Sequence, residues 1–505
     1  MGPFISLLAL AGGVAVSWQL FGSGHRVRDE KADDDKLPAV LPERRLPLPK
    51  YGEKITVLSI DGGGMRGVIL SVVLARLEEH LKEDKNNEDP RIADYFDLIA
   101  GTSTGGLIAA MLAAPDMKSP DGRPKKAEEI TKFYEDKGPT IFSLRRSSFW
   151  STATKRSFPV AVVEPCIFTK NRLVYIYSIA SYKIRGLYIY ILFFLEHRLV
   201  YDFLACLACR GRALLGWADY CFGQKGWWRY DFVTRLWWGP KYDGKALERV
   251  IKEEMGGITL GHTVTKILVP AFDINQRSIK QFGLWTHPEL HLKHLCMATT
   301  AAPVYFPAYS FRHGGEEFNL VDGGVAANNP TLDAIWCIIK EVEAKNPDFH
   351  NNPGPFDIKK LLVISIGTGY AKQEYTAAEC KKWGLIGWLI KRGRRPLLDI
   401  FSNATTSLIQ CSAEYLFHLH RCHENYLHIN PKLEFDVSLD DATKDNMDNL
   451  GIVGKHLLDN EKEMKVRFEE KKWERTAAGD NTNNQALKIF AGKLIAERNR
   501  RVDAT

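Results

Sequence analysis

Short apolar runs alternate with longer amphipathic stretches through the first third of the chain, and glycines stand at the junctions. Ile55 to Ile60 reads as a buried strand, Val68 to Leu81 as a helix, Tyr95 to Ala100 as a second strand, and Thr104 to Ala113 as an apolar helix. Ala127 to Asp136 continues as a polar helix. Apolar runs bounded by turn residues suit strands covered on both sides, and strands alternating with helices predict a parallel sheet. The expected fold class is therefore α/β, a parallel-sheet core with helices on both faces. After Pro240 the pattern returns, with Lys266 to Asp273, Phe318 to Val325 and Lys360 to Gly369 as strands and His291 to Thr300 as a helix. Lys455 to Thr505 is charged and helix-prone without a strong apolar face, and reads as a surface helix and tail.

Two of the junctions carry chemistry. Gly101-Thr-Ser103-Thr-Gly105 lies between strand and helix signals, the context of a nucleophile elbow, in which Gly101 and Gly105 permit a sharp turn and Ser103 stands exposed at a strand end. Upstream, Asp61-Gly62-Gly63-Gly64-Met65-Arg66-Gly67 again separates a strand from a helix. Three successive glycines bring bare backbone N–H groups close to a ligand, at a helix start where negative charge is favoured. Serine also needs a base. His350, His418, His420, His423, His428 and His456 follow Asp322 and leave a Ser…Asp…His order open. Asp322 itself ends a strand and precedes two glycines, which would bring its carboxylate to the rim where Ser103 stands. A carboxylate with a free pKa of about 3.9 becomes a useful base only in a partly dry pocket.

Composition, 45% hydrophobic and 26% charged, is globular. Residues 1–24 carry no charge, and Phe4 to Phe21 approaches the ~20 residues of a bilayer span. The segment reads as a signal peptide, with Ala15 and Ser17 as small cleavage-site residues, or as an anchor. Arg26, Arg28, Arg44 and Arg45 after it would hold the following chain in the cytoplasm. Met1-Gly2-Pro3 offers only a weak acylation pattern. Residues 25–50 read as a linker, 51–460 as the catalytic domain, and 461–505 as a charged helix or tail. An aromatic insertion interrupts the domain at about 160–237. From Phe168 to Trp238 there are ten Lys/Arg against four Asp/Glu, a surplus of six that is nearly all of the chain's net +7. The rest is near neutral, which argues against nucleic acid as a partner. Basic residues among aromatics, with Leu187 to Leu195 apolar, suit an anionic membrane surface; the alternative is an insertion the fold merely tolerates. The expected location is membrane-associated or secretory, with cytoplasmic as the alternative. Nine cysteines without regular spacing make no disulfide framework, and Cys206-Leu-Ala-Cys209 has no second pair at zinc spacing, so no metal is expected.

Asp61-Gly-Gly-Gly-Met-Arg-Gly67, Gly101-Thr-Ser-Thr-Gly105 and Asp322-Gly-Gly324, in that order, resemble the three motifs of the patatin-like phospholipases, plant lipid acyl hydrolases. Gly239-Pro-Lys-Tyr-Asp-Gly244, Ala301-Ala-Pro-Val-Tyr-Phe306, Asn319 to Pro330 and Lys382 to Trp388 resemble plant patatins as well. The resemblance covers about Tyr51 to Asp459, apart from most of Val160 to Leu236. It implies a patatin-like acyl hydrolase architecture and a Ser–Asp dyad without histidine. Ser103 would be the nucleophile, Asp322 the base, and Gly62, Gly63, Gly64 and Arg66 the oxyanion loop. The substrates implied are membrane glycerolipids, phospholipids and galactolipids, and no cofactor. Two other classes stand beside it. Gly62-x-Gly64-x-x-Gly67 also fits a dinucleotide fingerprint, but Glu78, Glu79 and Glu83 lie in or just past a helix rather than at the end of a second strand. A storage or defence protein of the same fold with low turnover is the non-enzymatic alternative.

Overall fold

The computed structural model describes residues 28–29, 43–143, 239–349, 356–371, 375–389, 391, 395–433, 438–469 and 472–505. The hydrophobic segment 1–24, Cys206, Cys209, His350 and the aromatic insertion up to Trp238 lie outside the described residues. The chain divides into two compact units, 1–143 with 242–505, and 144–241. Only Gly239 to Lys241 of the second are described.

The strands are β1 (Arg28–Asp29), β2 (Ile55–Ile60), β3 (Leu98–Gly101), β4 (Lys266–Asp273), β5 (Ser278–Gly283), β6 (Tyr309–His313), β7 (Glu316–Asp322), β8 (Leu361–Ile366), β9 (Tyr370–Ala371), β10 (Tyr426–Ile429), β11 (Lys432–Leu433), β12 (Lys462–Glu469) and β13 (Lys472–Thr482). Nine of them form one sheet in the order β1-β6-β7-β4-β3-β2-β8-β10, with β5 also on β4. The run β4-β3-β2-β8-β10 is parallel throughout. Beyond β4 the sheet changes character: β5 and β7 pair antiparallel with β4, and β6 antiparallel with β7. The expected parallel core is therefore the larger half of a mixed sheet.

The helices are α1 (Gly67–Leu81), α2 (Thr104–Ala113), α3 (Ala127–Ile141), α4 (Lys245–Met255), α5 (Leu292–Thr299), α6 (Thr331–Glu343), α7 (Pro396–Leu419), α8 (Lys444–Asp459) and α9 (Asn483–Asp503), with shorter turns besides. Side chains alternate across a strand, so each strand feeds two cores. Leu58, Ile60, Ile99, Ile364 and Ile366 meet α1 to α5, α8 and α9 on one face. Ile55, Val57, Leu98, Ala100 and Val363 meet Ile335 and Ile338 of α6 and Phe417 of α7 on the other. All six residues of β2 and of β8 are buried, as a centre covered on both sides requires. No helix among the described residues is long and apolar enough to cross a membrane.

The C-terminal stretch differs from its expectation. β12 and β13 form an antiparallel hairpin, and α9 is a core helix that buries Leu487, Phe490, Ala491 and Leu494. Its inward stripe continues through Arg498 and Arg501, so the pattern looks polar although the face is inside. Arg501 is fully buried and donates to both carboxylate oxygens of Asp97, at 2.9 and 2.8 Å, and to Glu497 at 2.9 Å. Arg44 reaches the same Asp97 at 2.9 Å. A buried charge is tolerable when paired in this way, and here the pairing fixes α9 to the residue just before β3.

Candidate active site

β3 ends at Gly101, and two residues later Ser103 caps α2 with φ 54 and ψ −123. A non-glycine residue at positive φ costs energy and persists only where its surroundings impose it. Here they do, because α2 turns back hard against the sheet. A Cβ on Gly101 would collide with the Gly105 carbonyl oxygen, and one on Gly105 with the Ile60 carbonyl oxygen. Only glycine fits either place. All ten residues of α2 are buried, whereas Ser103 remains half-buried at its open N-terminus.

Asp322 reaches Ser103 by a route that the sequence did not indicate. Leu268 of β4 lies opposite Ala100 of β3, and β4 runs on three residues to Ala271, which lies opposite Asp322. Because β7 is antiparallel to β4, it descends to this rim from beyond it. Ser103 Oγ donates to Asp322 Oδ2 at 2.5 Å. The other carboxylate oxygen, Oδ1, accepts from Gly324 N at 2.7 Å, which sets the plane of the carboxylate. Asp322 is buried, and burial pushes its pKa up to about 7, against the smaller opposing effects of the Ser103 hydroxyl and the Gly324 N–H. No cation among the described residues contributes to that balance, so the carboxylate has both the reach and the basicity to take a proton from Ser103 near neutral pH.

The glycine loop begins level with the elbow, since Ile60 pairs with Gly101. Its four expected contributors separate. Gly62 N–H donates to the Asn328 carbonyl at 3.0 Å and is already used. The N–H groups of Gly63 and Gly64 have no acceptor among the described residues. Arg66 turns its guanidinium to the Gly369 carbonyl at 3.2 Å, while its Nε has no partner among the described residues. Burial lowers the Arg66 pKa, and Asp399, Tyr305 and Asp61 oppose that shift. Thr368 anchors the loop by donating from Oγ1 to the Gly62 carbonyl at 2.7 Å, and Asn328 Nδ2 approaches the same oxygen at 3.4 Å.

None of the described histidines bonds to Ser103 or Asp322. His418, His420 and His423 are exposed, His456 faces Glu461, and His428 shares a hydrogen bond with Ser365 at 3.1 Å. The acidic residues that a dinucleotide site would need are engaged elsewhere. Glu78 accepts from Ala127 N at 2.8 Å, Glu79 pairs with Arg76, and Glu83 pairs with Lys488. Among the described residues no group of three His, Cys, Asp or Glu is placed to hold a metal.

The patatin-like phospholipase family profile matches residues 58–335, more than half the chain. The chain belongs to the patatin-like phospholipase family. Patatin-like protein 1 of Arabidopsis thaliana is 34% identical over 90% of this chain and 94% of its own length. Patatin-like protein 2 of Oryza sativa subsp. japonica is 34% identical over 90% and 95%. Patatin-2-Kuras 2 of Solanum tuberosum is 30% identical over 88% and 91%. Among solved structures, VipD from Legionella pneumophila covers 84% of this chain and 72% of that chain at 14% identity, with a TM-score of 0.26. That overlap is too slight to carry the fold assignment, which rests on the sheet itself. The patatin-like stretch contains Gly62 to Gly64, Ser103 and Asp322, and ends within α6.

Sequence reasoning overlooked the residues that hold this patatin-like site in shape. Thr368 belongs to the Gly367-Thr-Gly369 turn that ends the Lys360 to Gly369 run, and Asn328 to the Asn319 to Pro330 motif, and neither received a role of its own. Thr299, at the end of α5, accepts the Ser103 N–H at 2.9 Å. Their types are ordinary for turns. A signal existed only in the resemblance around Asn328.

Proposed function

We propose that this chain is a lipid acyl hydrolase cleaving fatty-acyl ester bonds of phospholipids and galactolipids, with Ser103 as nucleophile and Asp322 as base. The observation that carries the reading is the 2.5 Å hydrogen bond from Ser103 Oγ to a buried carboxylate that has no paired cation among the described residues. Asp322 takes the Ser103 proton as Oγ attacks the acyl carbon. The resulting oxyanion faces the free N–H groups of Gly63 and Gly64, where backbone donors are most effective. Protonated Asp322 returns its proton to the leaving alcohol, and an acyl-enzyme remains. Water, deprotonated by Asp322, then attacks that ester; as the acyl–oxygen bond breaks, Asp322 gives the proton to Ser103 Oγ and the fatty acid leaves. No step draws on a cofactor.

The test is hydrolysis of phosphatidylcholine, monogalactosyldiacylglycerol and a p-nitrophenyl ester by purified protein, with Ser103→Ala as control. Release of fatty acid from both lipids, lost by on the order of a thousandfold in the variant, is expected. Turnover of neither lipid nor ester by folded protein would favour a storage role instead.

We also place the working enzyme at a membrane or in the secretory pathway, a reading that rests on the uncharged run in residues 1–24. The full chain is expected to sediment with membranes through a high-salt wash, and a chain lacking residues 1–24 to be released by salt. Retention of the shortened chain at high salt would refute the anchor.

A further inference from the structure

The strained elbow is held by a side chain that lies outside every motif of the sequence. Ser103 Oγ meets Asp322 only if its backbone stays at φ 54, a conformation unfavourable to serine. Thr299 is fully buried, and its Oγ1 makes two bonds at once: it accepts the Ser103 N–H at 2.9 Å and donates to the Pro270 carbonyl at 2.8 Å. A hydroxyl can serve in both directions; neither an ammonium nor a methyl can. Its methyl group packs on α2, since a Cβ on Gly106 would meet Thr299 Cγ2 at 2.9 Å. Two residues further, the Ala301 carbonyl accepts the Asp322 N–H at 3.0 Å. One three-residue stretch therefore grips the backbone of both Ser103 and Asp322. It also occupies the Ser103 N–H, which is therefore not available to the oxyanion.

We infer that Thr299 is the positioning residue of the site: its hydroxyl, fixed on the β4 carbonyl of Pro270, sets the Ser103 backbone so that Oγ points at Asp322. The inference rests on Ser103 being the nucleophile. Without the hydroxyl, the Ser103 N–H and the Pro270 carbonyl are both left buried and unpaired, and the elbow relaxes away from its strained conformation. Displacement of a reacting atom by about 1 Å costs on the order of 100-fold in rate.

The experiment compares the full chain with Thr299→Val, Thr299→Ala and Thr299→Ser on p-nitrophenyl butyrate, each normalised to folded protein by circular dichroism. In parallel, the rate at which a fluorophosphonate probe labels Ser103 is followed. Thr299→Val and Thr299→Ala are expected to lose on the order of 100-fold in kcat and in labelling rate, with KM within about twofold. Their pH–rate midpoint should move upward, because Asp322 loses the Ser103 hydroxyl that eases its ionisation. Thr299→Ser, which keeps both hydrogen bonds, should recover most of the rate. Full kcat with an unmoved midpoint in either hydroxyl-free variant overturns the inference, and so does loss of rate in Thr299→Ser. Should Thr299→Val not fold, Thr299→Ala decides. If the probe fails to label Ser103 in the unaltered chain, the proposed function falls by itself, whatever the variants do.

Discussion

Asp97 and Asp322 are both buried beside the same strands, yet their surroundings drive them in opposite directions. Asp97 immediately precedes β3. Burial alone would raise its pKa, but Arg501 and Arg44 outweigh burial and hold the carboxyl below its ordinary value. Asp322 stands near the other end of β3, beside Ser103. With one hydroxyl and one N–H for company, it is pushed up to about 7. Burial therefore does not decide whether a carboxylate is structural or reactive; the presence or absence of a cation does. One end of β3 is clamped and the other is poised.

The largest effect expected from breaking this contrast is at the poised end. Asp322→Asn should reduce ester hydrolysis by on the order of a thousandfold while the protein stays folded. Most of the activity surviving would remove Asp322 from the chemistry. The same variant should gain stability at pH 8. Between the unfolded pKa of about 3.9 and the folded value near 7, the native state holds a proton that the unfolded chain has lost. Ionising Asp322 thus weakens the fold as pH rises through that window, and asparagine avoids the cost. A midpoint in thermal unfolding several degrees above that of the parent, roughly 4 °C, is expected, and a lower one would contradict it.

At the clamped end the signs reverse. Arg501→Met leaves Asp97 buried with less than its full pairing and should cost about 3–5 kcal/mol in urea unfolding at pH 7, with kcat per folded molecule unchanged. Because the folded pKa of Asp97 is lowered, its contribution is present above about pH 4 and disappears as pH falls through the folded value. A loss under 1 kcal/mol would mean that α9 is held by its apolar face alone.

A smaller effect sharpens the site itself. A Cβ on Gly63 meets Thr368 Cβ at 2.5 Å, so Gly63→Val must displace the loop that carries the Gly63 and Gly64 N–H groups. A fall in kcat of ~100-fold is expected, with KM far less affected. An unchanged kcat would take the oxyanion role from this loop. Smallest of all, joint replacement of exposed His418, His420 and His423 by alanine should leave kcat within about twofold. Loss of turnover in that folded variant would bring back a histidine-dependent triad.

The parts legible in the sequence were those punctuated by glycine. The boundaries of β2, α2 and β4 follow from apolar runs that stop at turn residues, and the elbow and the loop announce themselves because only glycine permits such close approach. Asp322 is legible as the end of a strand, but the antiparallel direction of that strand is not, because short strands with alternating burial carry no mark of direction. Gly62 looked equivalent to Gly63 until the Asn328 carbonyl was seen to occupy its N–H. The clamp was illegible because Glu497, Arg498 and Arg501 occupy inward positions that hydrophobic patterning reads as solvent.

The two pairs that define the comparison join remote parts of the chain. Ser103 and Asp322 are 219 residues apart, and Asp97 and Arg501 are 404 apart. Contacts of such separation form late, after the entropy of closing large loops has been met. Local helices such as α2 can appear early in refolding, but hydrolysis cannot. If Ser103 and Asp322 act as proposed, recovery of turnover should therefore lag recovery of far-ultraviolet ellipticity, and the pair would serve as a built-in clock for the last stage of assembly.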